Sequence, residues 1–341
     1  MKLSDFDYNL PKELIAQKPL HPRDKSRLLV YNRQRDKIIH DKFFNIDKYL
    51  QKGDLLVFND SKVYPARLIG KKLTGGKVEV LLLEQIENKT WKALVGVKNK
   101  KKGMKVIFSD KLEAELVNRI SDMEWQVKFK YSGDFYKIIE KIGLVPLPPY
   151  IKSNEKQAKL KKQYQTIYAK QFGSSAAPTA GLHFTKKVLN KLNKKGIETA
   201  FVTLHVGLGT FAPVRSEDIE KHKLHSESIE INKTNLEKLL KAKKQGRRII
   251  AVGTTSARVL EGAIGQKQIK KAWKGKVDIF IYPSYKFKTI DGIITNFHLP
   301  KSSLIMLIAA LTGRAKILSI YNKAIQKGYR FYSFGDSMLI L

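Results

Sequence analysis

Residues 231–264, INKTNLEKLLKAKKQGRRIIAVGTTSARVLEGAI, hold a helix, a strand and a second helix in direct succession. Lys233 to Lys244 reads as a helix leading into the apolar run RRIIAVG, and Thr255 to Ile264 reads as the next helix. The pattern continues on both sides. Upstream, a helix from Lys186 to Lys195 leads to IETAFVTLHV; downstream come the strand KVDIFIY, the strand Gly292 to Asn296 and a helix from Ser302 to Leu311. Near-continuous apolar strands alternating with helices predict an α/β unit, a mostly parallel sheet with helices on both faces.

Nearer the N-terminus the texture differs. A short helix, Pro11 to Ile15, precedes two apolar strands, Leu28 to Tyr31 and Asp54 to Phe58. From Val63 to Tyr131 the segments VYPARLIG, KVEVLLLEQI, TWKALVGV, MKVIF, LEAELV and EWQVKFKY are separated by turns, with no helix between them. Six such strands predict a small antiparallel β-barrel. A helix from Asp134 to Ile142 and the stiff connector Pro146 to Tyr150 lead back to the main unit. The expected organisation is therefore a discontinuous α/β catalytic domain, 1–61 with 150–341, interrupted by an inserted barrel domain, 62–149.

Composition narrows the function. The 341 residues carry 65 Lys+Arg against 31 Asp+Glu, a formal charge of +34, which points to a polyanionic partner such as RNA. The absence of cysteine excludes disulfides, thiolate catalysis and Cys-ligated metals. No His pair has helical i,i+4 spacing, so no metal site is expected. There is no apolar run of about 18 residues and no signal-like N-terminus, so the expectation is a cytoplasmic chain with no membrane partner.

Within this basic chain, Gly173 to His183 (GSSAAPTAGLH) bears no charge beyond its imidazole. Its small residues and Pro178 suit a backbone approached closely by a ligand or another segment; a buried crossover ahead of a helix capped by Thr185 is the alternative. Ligands of α/β sheets lie beyond the carboxyl ends of the strands. Three strand exits carry polar or glycine-rich text: Leu204 to Thr210, Gly253 to Arg258, and Thr295 to His298. With Ala177 to His183 they form one candidate site, and the helix starts at Thr254 to Ser256 and Lys301 to Ser303 offer free N–H groups for a carboxylate or phosphate.

Candidate binding residues are Thr179, Gly181, Phe184, Gly207, Gly209, Thr210, Thr254, Thr255, Ser256, Arg258, Asn296 and His298. Arg23 and Arg27 in HPRDKSR, and Asn59 and Asp60 at a strand exit, complete the set. Gly207-Leu208-Gly209 is not a dinucleotide loop, because Pro213 follows where a helix would be needed. His225 and Glu227, two apart in an extended HSE segment, are the best acid/base pair. Tyr150, Tyr164, Tyr168 and Phe184 lie beside basic residues and would suit base stacking, although core packing is the commoner fate.

The blocks DFDYNLP (5–11), GSSAAPTAGLHF (173–184), VTLHVGLGTFAPV (202–214), HSE (225–227), IAVGTTSARVLE (250–261), ITNFHLPKSSLIML (294–307) and YRFYSFGDSMLI (329–340) resemble the S-adenosylmethionine:tRNA ribosyltransferase-isomerase family of queuosine biosynthesis. The resemblance implies transfer of the ribosyl part of S-adenosylmethionine to a 7-aminomethyl-7-deazaguanine at the wobble position of tRNA. It also implies a monomer, an anticodon-loop partner, S-adenosylmethionine as co-substrate and no bound cofactor. On that chemistry Glu227 or His225 is the expected base, and His183 or His205 protonates adenine or orients the amine. A non-enzymatic RNA-binding factor would explain the charge but not the uncharged, His-bearing strand ends.

Overall fold

The computed structural model describes residues 1–207, 217–222 and 226–341. The chain opens with strands β1 (Arg27–Asn32), β2 (Lys37–Lys42), β3 (Leu55–Asn59) and β4 (Ser61–Val63). Six strands follow: β5 (Arg67–Lys72), β6 (Lys77–Glu87), β7 (Thr90–Gly96), β8 (Lys105–Ser109), β9 (Leu112–Arg119) and β10 (Glu124–Tyr131). Next come α1 (Phe135–Ile142), α2 (Gln157–Gln163), β11 (Gln171–Ser174), α3 (Lys186–Lys194), β12 (Glu198–Leu204) and β13 (Glu227–Ile231). The remainder is α4 (Lys233–Lys244), β14 (Ile249–Val252), α5 (Thr254–Val259), β15 (Trp273–Val277), β16 (Gly292–Asn296), α6 (Ser303–Thr312), α7 (Arg314–Gln326) and β17 (Ser337–Ile340).

Among the described residues, nine strands form one sheet in the order β15-β13-β12-β3-β14-β16-β17-β1-β2. The central block β12-β3-β14-β16 is parallel, as is the β17-β1 pair. The other four pairings, toward both edges and between β16 and β17, are antiparallel, so the sheet is mixed. The antiparallel additions include β2 and β17, which the sequence reading did not identify. β3, β14 and β16 are buried along their whole length. Successive residues of these strands face opposite cores: Leu55, Val57, Ala251 and Ile293 pack on one side with α4 to α7, while Leu56, Phe58, Ile250 and Ile294 pack on the other with α3 and Phe43. That double burial is why the strands read as unbroken apolar runs rather than alternating ones.

The six strands β5 to β10 close into an antiparallel barrel in the order β10-β7-β6-β5-β8-β9. Here alternation is strict. Leu112, Ala114 and Leu116 of β9 point inward while Glu113 and Glu115 are exposed, and Val78, Val80, Trp91, Trp125, Val127 and Phe129 fill the same interior.

Several boundaries shift. The strand expected over KVDIFIY is Trp273–Val277, and the helix from Thr255 widens after Val259 into a π-helical turn, Leu260–Gln266. There the Glu261 carboxylate is wholly buried and accepts the amides of Lys288, Thr289 and Ile290 and the Tyr285 hydroxyl. This side-chain anchorage, invisible to periodicity, sets where the helix ends.

The uncharged stretch behaves as both readings foresaw. Gly173 (φ +145°) lies under the His205 ring, where an added Cβ would stand 2.6 Å from Cε1. Thr185 caps α3, accepting from the Val188 amide (3.3 Å) and donating to buried Asp24 (2.6 Å). Thr185→Ala should therefore cost about 1–2 kcal/mol, the loss of a cap and of a donor to a buried carboxylate. Urea unfolding measures it; a midpoint equal to wild type would mean that Asp24 finds another donor.

Candidate active site

The carboxyl ends of β14 and β16, the exit of β12 and the segment 177–180 converge on a cavity of about 450 Å³. Its wall includes Tyr150, Ala177, Thr179, Val206, Gly253 and Thr254, and continues through Thr255, Thr295 to Ser302, Leu304, Tyr332 and Ser333. The position follows from the topology: the chain must leave each parallel strand at the same edge, so several loops gather there.

Of the expected binding residues, Thr179, Thr254, Thr255, Asn296 and His298 line this cavity. His298 is pinned through three groups. Its Nε2 meets Thr295 Oγ1 at 2.7 Å, its amide donates to the Tyr321 hydroxyl oxygen at 3.1 Å, and its carbonyl accepts from the Tyr8 hydroxyl. Burial pushes its imidazole down to about 3 from an ordinary 6.5, so it lines the cavity as a neutral ring.

That shift has a sign. The unfolded chain binds a proton between about pH 6.5 and 3 that the folded chain does not, so stability falls as pH drops through that window, by at most about 1.4 kcal/mol per unit. His183, held well below its usual value by burial and by Arg23 and Arg330, acts in the same sense. His298→Gln should flatten the pH dependence of urea unfolding between about pH 6.5 and 4. An unchanged slope would assign the acid sensitivity elsewhere.

Other expected residues are placed differently. Glu227, at the start of β13, forms a buried ion pair with Arg258 of α5, and Arg258 Nε also donates to the Ile279 carbonyl at 3.4 Å. Neither residue of the pair is in the cavity wall; the ladder pairs Leu204 with Ile229, and the His205 amide reaches the Ser228 carbonyl, so β13 runs alongside the exit of β12. Ser256 is absent from the cavity wall, and its hydroxyl turns back to the Val252 carbonyl at 2.9 Å. Gly207 borders Val206 in open space. His225, Gly209 and Thr210 lie outside the described residues.

His183 and His205 are absent from the cavity wall. His183 is enclosed by Ser26 (2.8 Å), Asn296 (3.1 Å) and the Phe43 ring at 5.1 Å. His205 bonds Ser61 Oγ at 2.9 Å, and burial lowers its basicity. Both rings are held by partners from other segments rather than standing in the cavity wall itself. Gly181, close against Tyr168, and Phe184, in the core against Phe43 and Phe58, are likewise outside the cavity wall.

Asn59 staples β3 to β12, with both amide ends on the Leu204 backbone at 3.0 Å. Asp60 accepts from Thr203 at 2.7 Å, with its acidity weakened by burial. Arg23 donates to the Leu182 carbonyl (3.2 Å) and lies over Phe334, and burial lowers its guanidinium to about 9. Arg27 turns outward onto the Tyr329 ring, 3.8 Å away. Tyr164 is a buried core residue and Tyr168 a partly buried one packed against the core, so of the four aromatics suited to base stacking only Tyr150 reaches the cavity.

Sequence reading missed Tyr332 and Ser333. Tyr332 has φ +68° and Lys301 φ +56°, two non-glycine residues in the left-handed region on one cavity wall. They are held there by Tyr332 N to Phe297 O (3.0 Å) and Lys301 N to Phe6 O (3.0 Å). Such strain persists where surrounding contacts over-determine it and clusters at functional sites; no sequence signal marks it. Among the described residues no group of three or more His, Asp or Glu side chains is arranged to hold a metal, and no single helix is long and apolar enough to cross a membrane.

A family model described as "Queuosine biosynthesis protein" matches residues 3–340. The chain is 51% identical over 344 residues to the S-adenosylmethionine:tRNA ribosyltransferase-isomerase of Halothermothrix orenii, covering all of both chains. It is 52% identical over 343 residues to that of Carboxydothermus hydrogenoformans, again end to end. It also resembles the crystal structure of S-adenosylmethionine tRNA ribosyltransferase from Thermotoga maritima, with a TM-score of 0.58 and 39% identity over 99% of this chain and 100% of that one. Motif blocks, fold and full-length likeness agree: this chain belongs to the S-adenosylmethionine:tRNA ribosyltransferase-isomerase family of queuosine biosynthesis.

Proposed function

We propose that this enzyme binds S-adenosylmethionine in the cavity at the strand ends. There it transfers and isomerises the ribosyl group onto a 7-aminomethyl-7-deazaguanine at the wobble position of tRNA, with adenine and methionine released. The observation that carries this reading is the convergence of four family-like blocks, 173–184, 250–261, 294–307 and 329–340, on one cavity. The protein's surplus of 65 Lys+Arg over 31 Asp+Glu supports an RNA partner.

The chemistry asks for a cation-tolerant, water-poor pocket, a base and a proton for adenine. The sulfonium acidifies the hydrogens of the adjacent ribose carbon and a base removes one. Adenine leaves protonated, the substrate amine forms the new C–N bond and gives up a proton, and the carbon–sulfur bond breaks with its electron pair returning to sulfur as methionine departs. Tyr150 and Tyr332, 4.7 Å apart between ring centres, supply aromatic faces for the sulfonium. The methionine carboxylate is assigned to the N-terminus of α6, beside Lys301. Glu227 or His225 remains the base; Glu227 would act from its pairing with Arg258. His298, neutral and fixed, orients adenine or amine by hydrogen bonding.

Incubating the protein with S-adenosylmethionine and a tRNA bearing the aminomethyl base, then measuring free adenine and modified nucleoside, tests the reading. Adenine released in step with RNA modification supports it. Tight RNA binding without adenine would reduce the protein to a binding module, and labelled methyl in the RNA would make it a methyltransferase.

A further inference from the structure

Asn296 ends β16 in the cavity wall and is 2% exposed. Both hydrogens of its amide are committed, one to the Tyr332 carbonyl at 3.0 Å and one to His183 Nε2 at 3.1 Å. A carbonyl can only accept, so Tyr332 decides which end of the amide is the nitrogen. It follows that His183 Nε2 is bare and that Nδ1 carries the proton, donated to Ser26 Oγ at 2.8 Å. The Phe43 ring packs on the imidazole, and burial with two nearby guanidiniums keeps it neutral. The whole chain Ser26–His183–Asn296 therefore has one arrangement.

What that arrangement leaves over is Asn296 Oδ1, buried and without a hydrogen-bond partner among the described residues. Thr255 Oγ1, in the same cavity wall, is also without one. An orphaned buried carbonyl costs about 1–3 kcal/mol, and native proteins keep few of them. A side chain locked this firmly around an unused acceptor is built for a donor that arrives from outside.

We infer that Asn296 is a specificity-determining residue that accepts a hydrogen bond from S-adenosylmethionine, and that His183 and Ser26 are positioning residues that aim its carbonyl. The inference rests on the cavity being the site of that substrate. Asn296 ends an interior strand of the sheet and is 2% exposed, a position that suits a small co-substrate better than a base still attached to RNA. Two donors share the required chemistry, the 6-amino group of adenine and a ribose hydroxyl.

Equilibrium binding of S-adenosylmethionine without RNA separates the outcomes, with two analogues alongside, one carrying a 6-oxo purine and one lacking the ribose 2′-hydroxyl. Wild type should bind the substrate and bind one analogue about tenfold or more weakly, which identifies the donor. Asn296→Ala should lose a similar factor for S-adenosylmethionine and no longer discriminate against that analogue. His183→Leu should share the loss, while His183→Gln, whose side-chain oxygen can still accept from Asn296, should restore most of it. A purely structural role would lower thermal stability in these variants and leave binding and discrimination intact, which overturns the inference. Wild type binding both analogues as tightly as the substrate overturns it without any variant. Wild type failing to bind S-adenosylmethionine at all would instead remove the underlying reading of the cavity, and the inference with it.

Discussion

Glu227→Ala should destabilise the folded chain by about 3–5 kcal/mol, because it strands the Arg258 guanidinium without its carboxylate in a buried site. Glu227 and Arg258 are each about nine-tenths or more buried, 6% and 7% exposed at the side chain. Taking the positive charge away should reverse much of the loss, so Glu227→Leu with Arg258→Met should be more stable than Glu227→Ala alone. Denaturant unfolding of the single and double variants measures this. Equal stabilities would mean that Arg258 reaches water once its partner is gone.

The same substitution tests the proposed chemistry. In the fraction that remains folded, loss of a general base should lower turnover roughly 10²-fold or more. Glu227→Gln keeps the shape and should fold better than the alanine variant while remaining as slow. Near-wild-type turnover in Glu227→Gln would transfer the role to His225.

The second large effect is steric. A Cβ added at Gly181 would overlap the hydroxyl oxygen of Tyr168 and come within 2.9 Å of its Cζ. Tyr168 is packed edge-on against Phe58 and also touches Phe201. Gly181→Ala should cost about 1–3 kcal/mol by overpacking. Since the deepest overlap is with the hydroxyl, Tyr168→Phe in the same chain should recover part of it, the 2.9 Å approach to Cζ remaining. A double variant no more stable than Gly181→Ala would place the strain in the backbone instead, and thermal unfolding of the three variants decides.

Elements whose order is carried by near neighbours were legible in the amino-acid chain. The helix Lys233–Lys244 and the strand Gly292–Asn296 were bounded to the residue, because apolar spacing and flanking turn residues are local quantities. The barrel strands were found for the same reason: LEAELV alternates residue by residue, as a wall with one buried face must. The candidate cavity was also readable in outline, since polar text at the ends of apolar strands is a feature of neighbouring residues.

What tertiary structure alone decided is which of those side chains reach the cavity. Asn59 and Asn296 both end buried strands and looked equivalent; one commits both ends of its amide to the backbone of Leu204 and Ser61, whereas the other keeps a carbonyl unpaired. His183 and His298 likewise read alike, yet one is walled in by Ser26 and Phe43 and the other lines the site. The left-handed Tyr332 and Lys301 and the antiparallel edges of the sheet belong to the same class. Propensity acts over a few residues, whereas a buried polar group is satisfied by whatever distant segment the fold brings within about 3 Å, and that choice is made only when the chain closes on itself.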